Sequence, residues 1–210
     1  MSVDSYISKP RRIPQQERGE RRVAELLDAA ASEFAEVGYD SATMKAIAER
    51  AGASIGAIYQ YFPNKQAVVG ALRNQYVSKM EEHWIKVEEA TTGLSIQERT
   101  QKFVDVMIHF MEEHPAYITI LDAPVDSKQD KKIRDHLRDR LANVFHTRRP
   151  GISREQAYRV ACVSLEIIKS MNTLYTEARR QDRSEIVGEY KLALTAYLER
   201  RLTPSRGGDG

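Results

Sequence analysis

Ser41-Ala-Thr-Met-Lys-Ala-Ile-Ala-Glu-Arg-Ala-Gly-Ala-Ser-Ile-Gly-Ala-Ile-Tyr-Gln-Tyr-Phe-Pro-Asn-Lys65 is the stretch whose reading decides the fold. Two short apolar-periodic segments, 44–51 and 54–61, flank Gly52. A glycine takes the left-handed backbone that a tight turn between helices needs. The pattern is that of a helix-turn-helix, whose second segment is the one that enters a DNA groove.

On the N-terminal side, Val23, Leu26, Leu27, Ala30, Phe34 and Val37 recur at the spacing of one helix face and predict a first helix, with Pro14 in its first turn and Gly38 as its stop. Thr43 is placed to cap the second helix, whose Met44, Ile47, Ala48 and Ala51 turn inward. The expected core of this small bundle is Leu27, Phe34, Met44, Ile47, Ile58 and Phe62. On the C-terminal side, Pro63 breaks the chain and Asn64 caps a long fourth helix that runs through Val68, Val69, Leu72, Tyr76 and Met80 toward Ala90. At about 1.5 Å per residue such a helix reaches nearly 40 Å, far beyond the small bundle, so it joins that bundle to the rest of the chain.

The C-terminal two thirds is also helical. Ser95-Ile-Gln-Glu98 has the capping-box pattern and opens a helix through Phe103, Val104, Met107, Ile108, Phe110 and Met111. Pro115 starts a short helix, Ile133 to Phe145 form the stripe of a seventh that stops at Pro150-Gly151, and Ser153 caps an eighth. A ninth carries Ile186, Val187, Tyr190, Leu194, Tyr197 and Leu198. No alternating stretch competes, so the expected fold is all-α with about nine helices. The expected organisation is a disordered basic arm over 1–13, a helix-turn-helix domain over 14–66, a second helical domain over 67–202 and a disordered tail over 203–210.

Composition excludes several classes. The 210 residues are 41% hydrophobic and 30% charged, an ordinary globular balance with enough chain for a substantial core. The single cysteine, Cys162, allows no disulfide within one chain and fits a reducing cytosol. No apolar run approaches the roughly 18 to 20 residues of a membrane span, and the start Met-Ser-Val-Asp-Ser-Tyr has no signal-peptide character, so a cytoplasmic protein is expected. A net charge of +2 does not announce a nucleic-acid partner, but its distribution does more. Arg50, Lys65, Arg73 and Lys79 have no acidic residue among them, and Lys9, Arg11, Arg12, Arg18, Arg21 and Arg22 precede the bundle. Arg11 and Arg12 suit either a minor-groove arm or a solvated tail.

Residues 22–72 resemble the DNA-binding domain of the TetR family of transcriptional regulators. The likeness rests on Phe34-Ala-Glu-Val-Gly-Tyr39, on Thr43-Met-Lys-Ala-Ile-Ala48, on the turn Ala51-Gly-Ala-Ser54, and on Ile55-Gly-Ala-Ile-Tyr-Gln-Tyr-Phe62 with Lys65 beyond. The resemblance implies that Thr43, Lys45, Tyr59, Tyr61 and Lys65 hold phosphates, while Ser54, Ile55, Gly56, Ala57 and Gln60 meet base edges. Hydroxyl and ammonium donors suit phosphate oxygens, Gly56 clears a close approach, and Gln60 can pair with adenine.

For the second domain the resemblance implies a ligand pocket among helices 4 to 8, a homodimer built on helices 8 and 9, and a double-stranded DNA operator as partner. A soft lining is available in Trp84, Phe103, Met107, Phe110, Met111, Tyr117, Met171 and Tyr175, which suits a largely apolar small-molecule effector. The same stripe at helical spacing also suits an ordinary core. Asn172 and Thr173 are candidates for polar contacts or for the interface. His109 and His114 are not at metal-ligand spacing, and Asp122, Asp126 and Asp130 read as solvated acids at a helix start. No Walker loop, dinucleotide-binding glycine pattern or nucleophile elbow occurs, so no cofactor is implied. The expected function is a ligand-responsive transcription regulator, with a helical enzyme or small-molecule carrier as the alternative.

Overall fold

A computed structural model describes residues 15–124 and 127–203. Among these residues the fold is all-α, with nine helices and no strand. They are α1 Gln15–Ser41, α2 Met44–Arg50, α3 Ile55–Tyr61, α4 Lys65–Ala90, α5 Ile96–Glu113, α6 Tyr117–Asp122, α7 Ser127–Arg148, α8 Arg154–Glu177 and α9 Arg183–Leu202. The expected basic arm over 1–13, Pro14, Asp126 and residues 204–210 lie outside the described residues. No described helix is long and apolar enough to cross a membrane.

Side-chain caps set the helix starts. Thr43 accepts from the Ala46 amide at 3.1 Å, Ser54 from Ala57 at 3.2 Å and Asn64 from Ala67 at 2.8 Å. Ser95 and Glu98 close a reciprocal capping box, and Ser153 accepts from Gln156. Each such cap is worth about 1 kcal/mol and fixes where the chain enters its helix. One stop differs from expectation. Gly38, at φ 76° and ψ 172°, kinks α1 instead of ending it, and one further turn carries the chain to Ser41.

The six residues expected to form the N-terminal core, Leu27, Phe34, Met44, Ile47, Ile58 and Phe62, are all buried. Val37, placed in the stripe of the first helix, is instead 42% exposed, at the margin of the helix's apolar arc. Helix α4 packs against α1, α5 and α6, and α1 also packs on α6. Beyond α4, the α7–α8 and α8–α9 contacts build the rest of the core, with α9 also resting on α5.

The meeting of α4 with α5 and α6 is aromatic. Tyr76 of α4 stacks on His114, which caps the end of α5, with centroids 5.3 Å apart, and lies edge-on to Phe110 and Tyr117. Burial pushes the Tyr76 and Tyr117 phenols up to about 12, so both stay protonated. Burial, reinforced by the nearby Lys79 ammonium and His83, holds the His114 imidazole below its usual value against the opposing effect of Glu113. The folded protein thus favours neutral His114, and below the ordinary imidazole value the unfolded chain binds more protons. The stability this contributes is present above a pH of about 6.5 and is lost as pH falls toward the depressed folded value. Thermal melts between pH 7 and pH 5 are expected to lose more in the wild type than in His114→Phe. An equal loss in both would show that His114 carries none of the pH dependence.

Candidate nucleic-acid interface

The turn between α2 and α3 is built by backbone bonds around one glycine. The Ala53 amide donates to the Ala48 carbonyl at 2.8 Å and the Gly52 amide to Glu49 at 3.0 Å, with Gly52 at φ 57°. This double closure is the Schellman motif, and it requires the left-handed residue the sequence supplies. Ile58 is buried beneath α3, which turns the other side of this short helix outward.

The outward side carries the expected residues. Thr43, Lys45, Ser54, Ile55, Gly56, Tyr59, Gln60 and Tyr61 are exposed, and Ala57 is half-buried. Ile55 at 45%, Tyr59 at 50% and Tyr61 at 39% are large apolar or aromatic groups left in water on α3, with Ile55 and Tyr59 one turn apart on the same face. The Ser54 and Thr43 hydroxyl oxygens accept from their helices, which leaves each O–H to donate outward. A Cβ built on Gly56 meets only the Ser54 hydroxyl oxygen at 4.0 Å, so nothing inside the protein requires glycine there.

The basic residues are distributed differently from their sequence grouping. Arg50 pairs with Glu33 at 3.0 Å and with Glu36, two hydrogen-bonded carboxylates that raise its already high pKa. Arg22 donates to the carbonyls of Ala51 and Gly52 and thereby braces the turn. Arg73 is only 3% exposed and donates from α4 to the Ile120, Leu121 and Ala123 carbonyls at the end of α6. Lys65, expected at a phosphate, directs its ammonium to the carbonyls of Tyr39 at 2.5 Å, Asp40 at 3.2 Å and Ala42 at 2.8 Å, and lies 4.3 Å from the Tyr39 ring centroid. An ammonium has three donors, and three carbonyls at the end of α1 take them. The reason is local: α1 ends in carbonyls with no helical partner, and the first residue of α4 arrives beside them.

Among the cavities of the later helices, one of about 610 Å³ lies between α4 and α7, and two others reach the expected lining residues. The smaller, of about 190 Å³, is enclosed by α4, α5, α6, α7 and α8 and is lined by Arg73, Met80, Trp84, Met107, Tyr117 and Asn172 among others. The larger, of about 440 Å³, lies between the far end of α4 and α5, α7, α8 and α9. Trp84 and Ile168 line both and form the partition. Four expected lining residues are thereby brought to a cavity: Trp84, Phe103, Met107 and Tyr117. Phe110, Met111, Met171 and Tyr175 line neither. Phe110 is enclosed by the rings of Tyr76, His83, His114 and Tyr117, Met111 and Met171 are buried in the core, and the Tyr175 hydroxyl donates to Glu112 at 2.8 Å. Asn172 and Thr173 both line the smaller cavity. The arginines at these cavities escaped the sequence reading, although a charge set inside an apolar stripe, such as Arg73 between Leu72 and Tyr76, is a readable signal.

The chain is similar to known proteins over both of its parts. The family model described as bacterial regulatory proteins, tetR family, matches residues 26–72, and the one described as tetracyclin repressor-like, C-terminal domain, matches residues 95–198. The uncharacterized HTH-type transcriptional regulator YuxN of Bacillus subtilis (strain 168) is 30% identical over 95 residues, 45% of this chain and 32% of that protein. The match therefore spans about a third of that relative's length. A TetR-family transcriptional regulator from Streptomyces coelicolor shares the fold with a TM-score of 0.67 at 24% identity, over 86% of this chain and 99% of that one. The transcriptional regulator FadR from Bacillus subtilis, solved in complex with stearoyl-CoA, does so with a TM-score of 0.58 at 17% identity, over 86% and 97%.

Lys65→Met keeps the aliphatic stem and removes the three charged hydrogen bonds. A loss of about 1 to 3 kcal/mol is expected, read as a lowered midpoint in thermal or urea melts. An unchanged midpoint would show that the ammonium does not hold α1 to α4.

Proposed function

Because the chain belongs to the TetR family of bacterial transcriptional regulators, we propose that it is a cytoplasmic, ligand-responsive repressor that binds a pseudo-palindromic operator as a homodimer. The observation that carries this reading is α4. One unbroken helix of 26 residues starts beside the helix-turn-helix, where Lys65 holds α1, and runs to Trp84 at the partition between the two cavities. Occupancy at one end therefore has a rigid path to the other.

In this reading Thr43, Lys45, Tyr59 and Tyr61 meet phosphates, and Ser54, Ile55, Gly56, Ala57 and Gln60 meet base edges. Lys65 acts through α1 and α4 by setting the angle at which α3 is presented. One α3 of seven residues reads few base pairs, so two related by a dyad, with half-sites about 34 to 36 Å apart or wider, supply the affinity. The second copy has a face to meet. Val163, Ile167, Ser170 and Leu174 form a stripe on α8, with Val163 and Leu174 exposed, and Leu192 on α9 is 65% exposed beside the exposed Ala196. Such apolar surface on two neighbouring helices supports a self-complementary interface. Effector binding shifts the dimer to a spacing that no longer fits the operator, by as much as the effector's affinities for the two states differ.

Titration of a promoter fragment at several salt concentrations tests the reading. Sequence-selective binding with a negative slope in log salt is expected, and its absence for every flanking fragment would sink it. Gly56→Ala separates reading from folding: its melting midpoint should stay level or rise, while operator affinity falls by about 1 to 3 kcal/mol. Lys65→Met should weaken binding without altering the salt slope, since a positioning lysine releases no counterion; a slope flatter by about one would return Lys65 to a phosphate. For the dimer, Val163→Glu combined with Leu174→Glu should sediment at half the wild-type mass and lose operator binding. A variant that stayed at full mass would place the interface elsewhere.

A further inference from the structure

Among the described residues, three buried side-chain polar atoms have no hydrogen-bond partner: Trp84 Nε1, Arg140 Nε and Asn172 Oδ1. Leaving such a group unsatisfied is costly, and each instance in a folded protein asks for an explanation. All three belong to residues that line the two adjoining cavities. Their placement points to polar groups that a ligand satisfies.

The two donors are neighbours. Trp84 is 6% exposed, and the Arg140 guanidinium lies over the face of its ring, 6.0 Å from the centroid. Both residues line the larger cavity. One group with two acceptor oxygens satisfies an indole N–H and a guanidinium N–H together, and a carboxylate is the compact group of that kind. The charge around the cavity agrees in sign. Arg99, Arg140, Arg148 and Arg149 line it against a single carboxylate, Glu88. Arg99, Arg148 and Arg149 donate to the carbonyls of Leu94, Glu88 and Arg201, contacts that leave their charge uncompensated. Arg140 has carboxylates only at the limit of ion pairing, Glu88 at 3.9 Å and Glu81 at 4.0 Å, and Glu81 is also held by His136 at 2.6 Å. Much of the remaining wall is apolar, with Leu94, Ile96, Phe103, Leu141, Phe145 and Leu198, and Thr91, Ser95, Thr100, Ser164 and Thr203 add hydroxyls to it.

We propose that the larger cavity is a site for an amphipathic carboxylate. Its head accepts from Trp84 Nε1 and Arg140 Nε at the partition, and its apolar chain lies between α5, α7 and α9. Asn172 Oδ1, an acceptor in the smaller cavity, takes no part in holding the head. That this occupant is the effector rests on the regulatory reading; that the cavity takes a carboxylate does not.

Trp84 is the only tryptophan of the chain, so intrinsic fluorescence reports on the partition directly. The probes are sodium dodecanoate, 1-dodecanol and dodecyltrimethylammonium, all below their aggregation limits. Dodecanoate should shift the emission saturably and bind about tenfold tighter than the alcohol, with the ammonium weakest. Arg140→Gln should reduce dodecanoate to the affinity of the alcohol and leave the alcohol unchanged. Trp84→Phe, followed by calorimetry, should lose part of the same preference, and it serves if Arg140→Gln does not fold. Equal binding of acid and alcohol, or a preference that survives both variants, overturns the proposal. Operator titration in parallel separates the two readings. Release by the alcohol or the ammonium, with no acid preference, overturns the carboxylate site and keeps the regulator. Arg140-dependent dodecanoate binding without operator release supports the site and removes its role as effector.

Discussion

A buried guanidinium under the end of a short helix is the contact on which the rest of this structure turns. Arg73 reaches from the middle of α4 to the Ile120, Leu121 and Ala123 carbonyls, where α6 runs out of helical partners. Burying a charge is expensive, and it persists only where hydrogen bonds surround it. Helix α6 has six residues and no side-chain cap at its start, so it gains its fixed end from α4. Because α1 also packs on α6, the same contact fixes how the N-terminal helices sit on the C-terminal ones.

Much of this was legible in the sequence, for reasons that are local. Thr43, Asn64, Ser95 and Ser153 cap the helices they precede because capping needs only one side chain and an amide three residues on. Gly52 takes positive φ because the turn leaves no alternative. Helical periodicity likewise found the six-residue N-terminal core, since a short bundle buries one face of each helix. The exposed residues of α3 were legible through the resemblance of 55–62 to a family motif rather than through periodicity.

What stayed illegible depends on distant partners. A count of basic residues treats Arg50, Lys65 and Arg73 alike, yet Glu33 and Glu36 take the first, α1 carbonyls the second and α6 carbonyls the third. Those pairings span 14 to 50 residues of chain and leave no local pattern. The lining failed in the same way. Phe110 and Trp84 are both large aromatic residues with nearly the same burial, but Phe110 is filled in by four other rings while Trp84 has a cavity on either side. Periodicity tells which face is inside, and only the packing of other helices tells whether that inside is full.

These contacts give α4 a geometry suited to carrying a signal. Arg73, Tyr76, Val77, Met80 and Trp84 all line the smaller cavity and lie on one face of the helix. Lys65 is eight residues before Arg73 and Trp84 eleven after it, arms of about 12 and 16 Å at helical rise. A helix gripped near its middle by a buried, multiply bonded group turns about that grip more readily than it slides past it. Its two ends then move in opposite senses by comparable amounts. On the proposed regulatory reading, a displacement at Trp84 would reach Lys65 at about three quarters of its size, and pass through the Tyr39, Asp40 and Ala42 carbonyls to the end of α1. From there the chain runs straight into α2, with only Ala42 and the capping Thr43 between the two helices. No flexible linker intervenes to absorb the motion before it reaches the exposed face of α3.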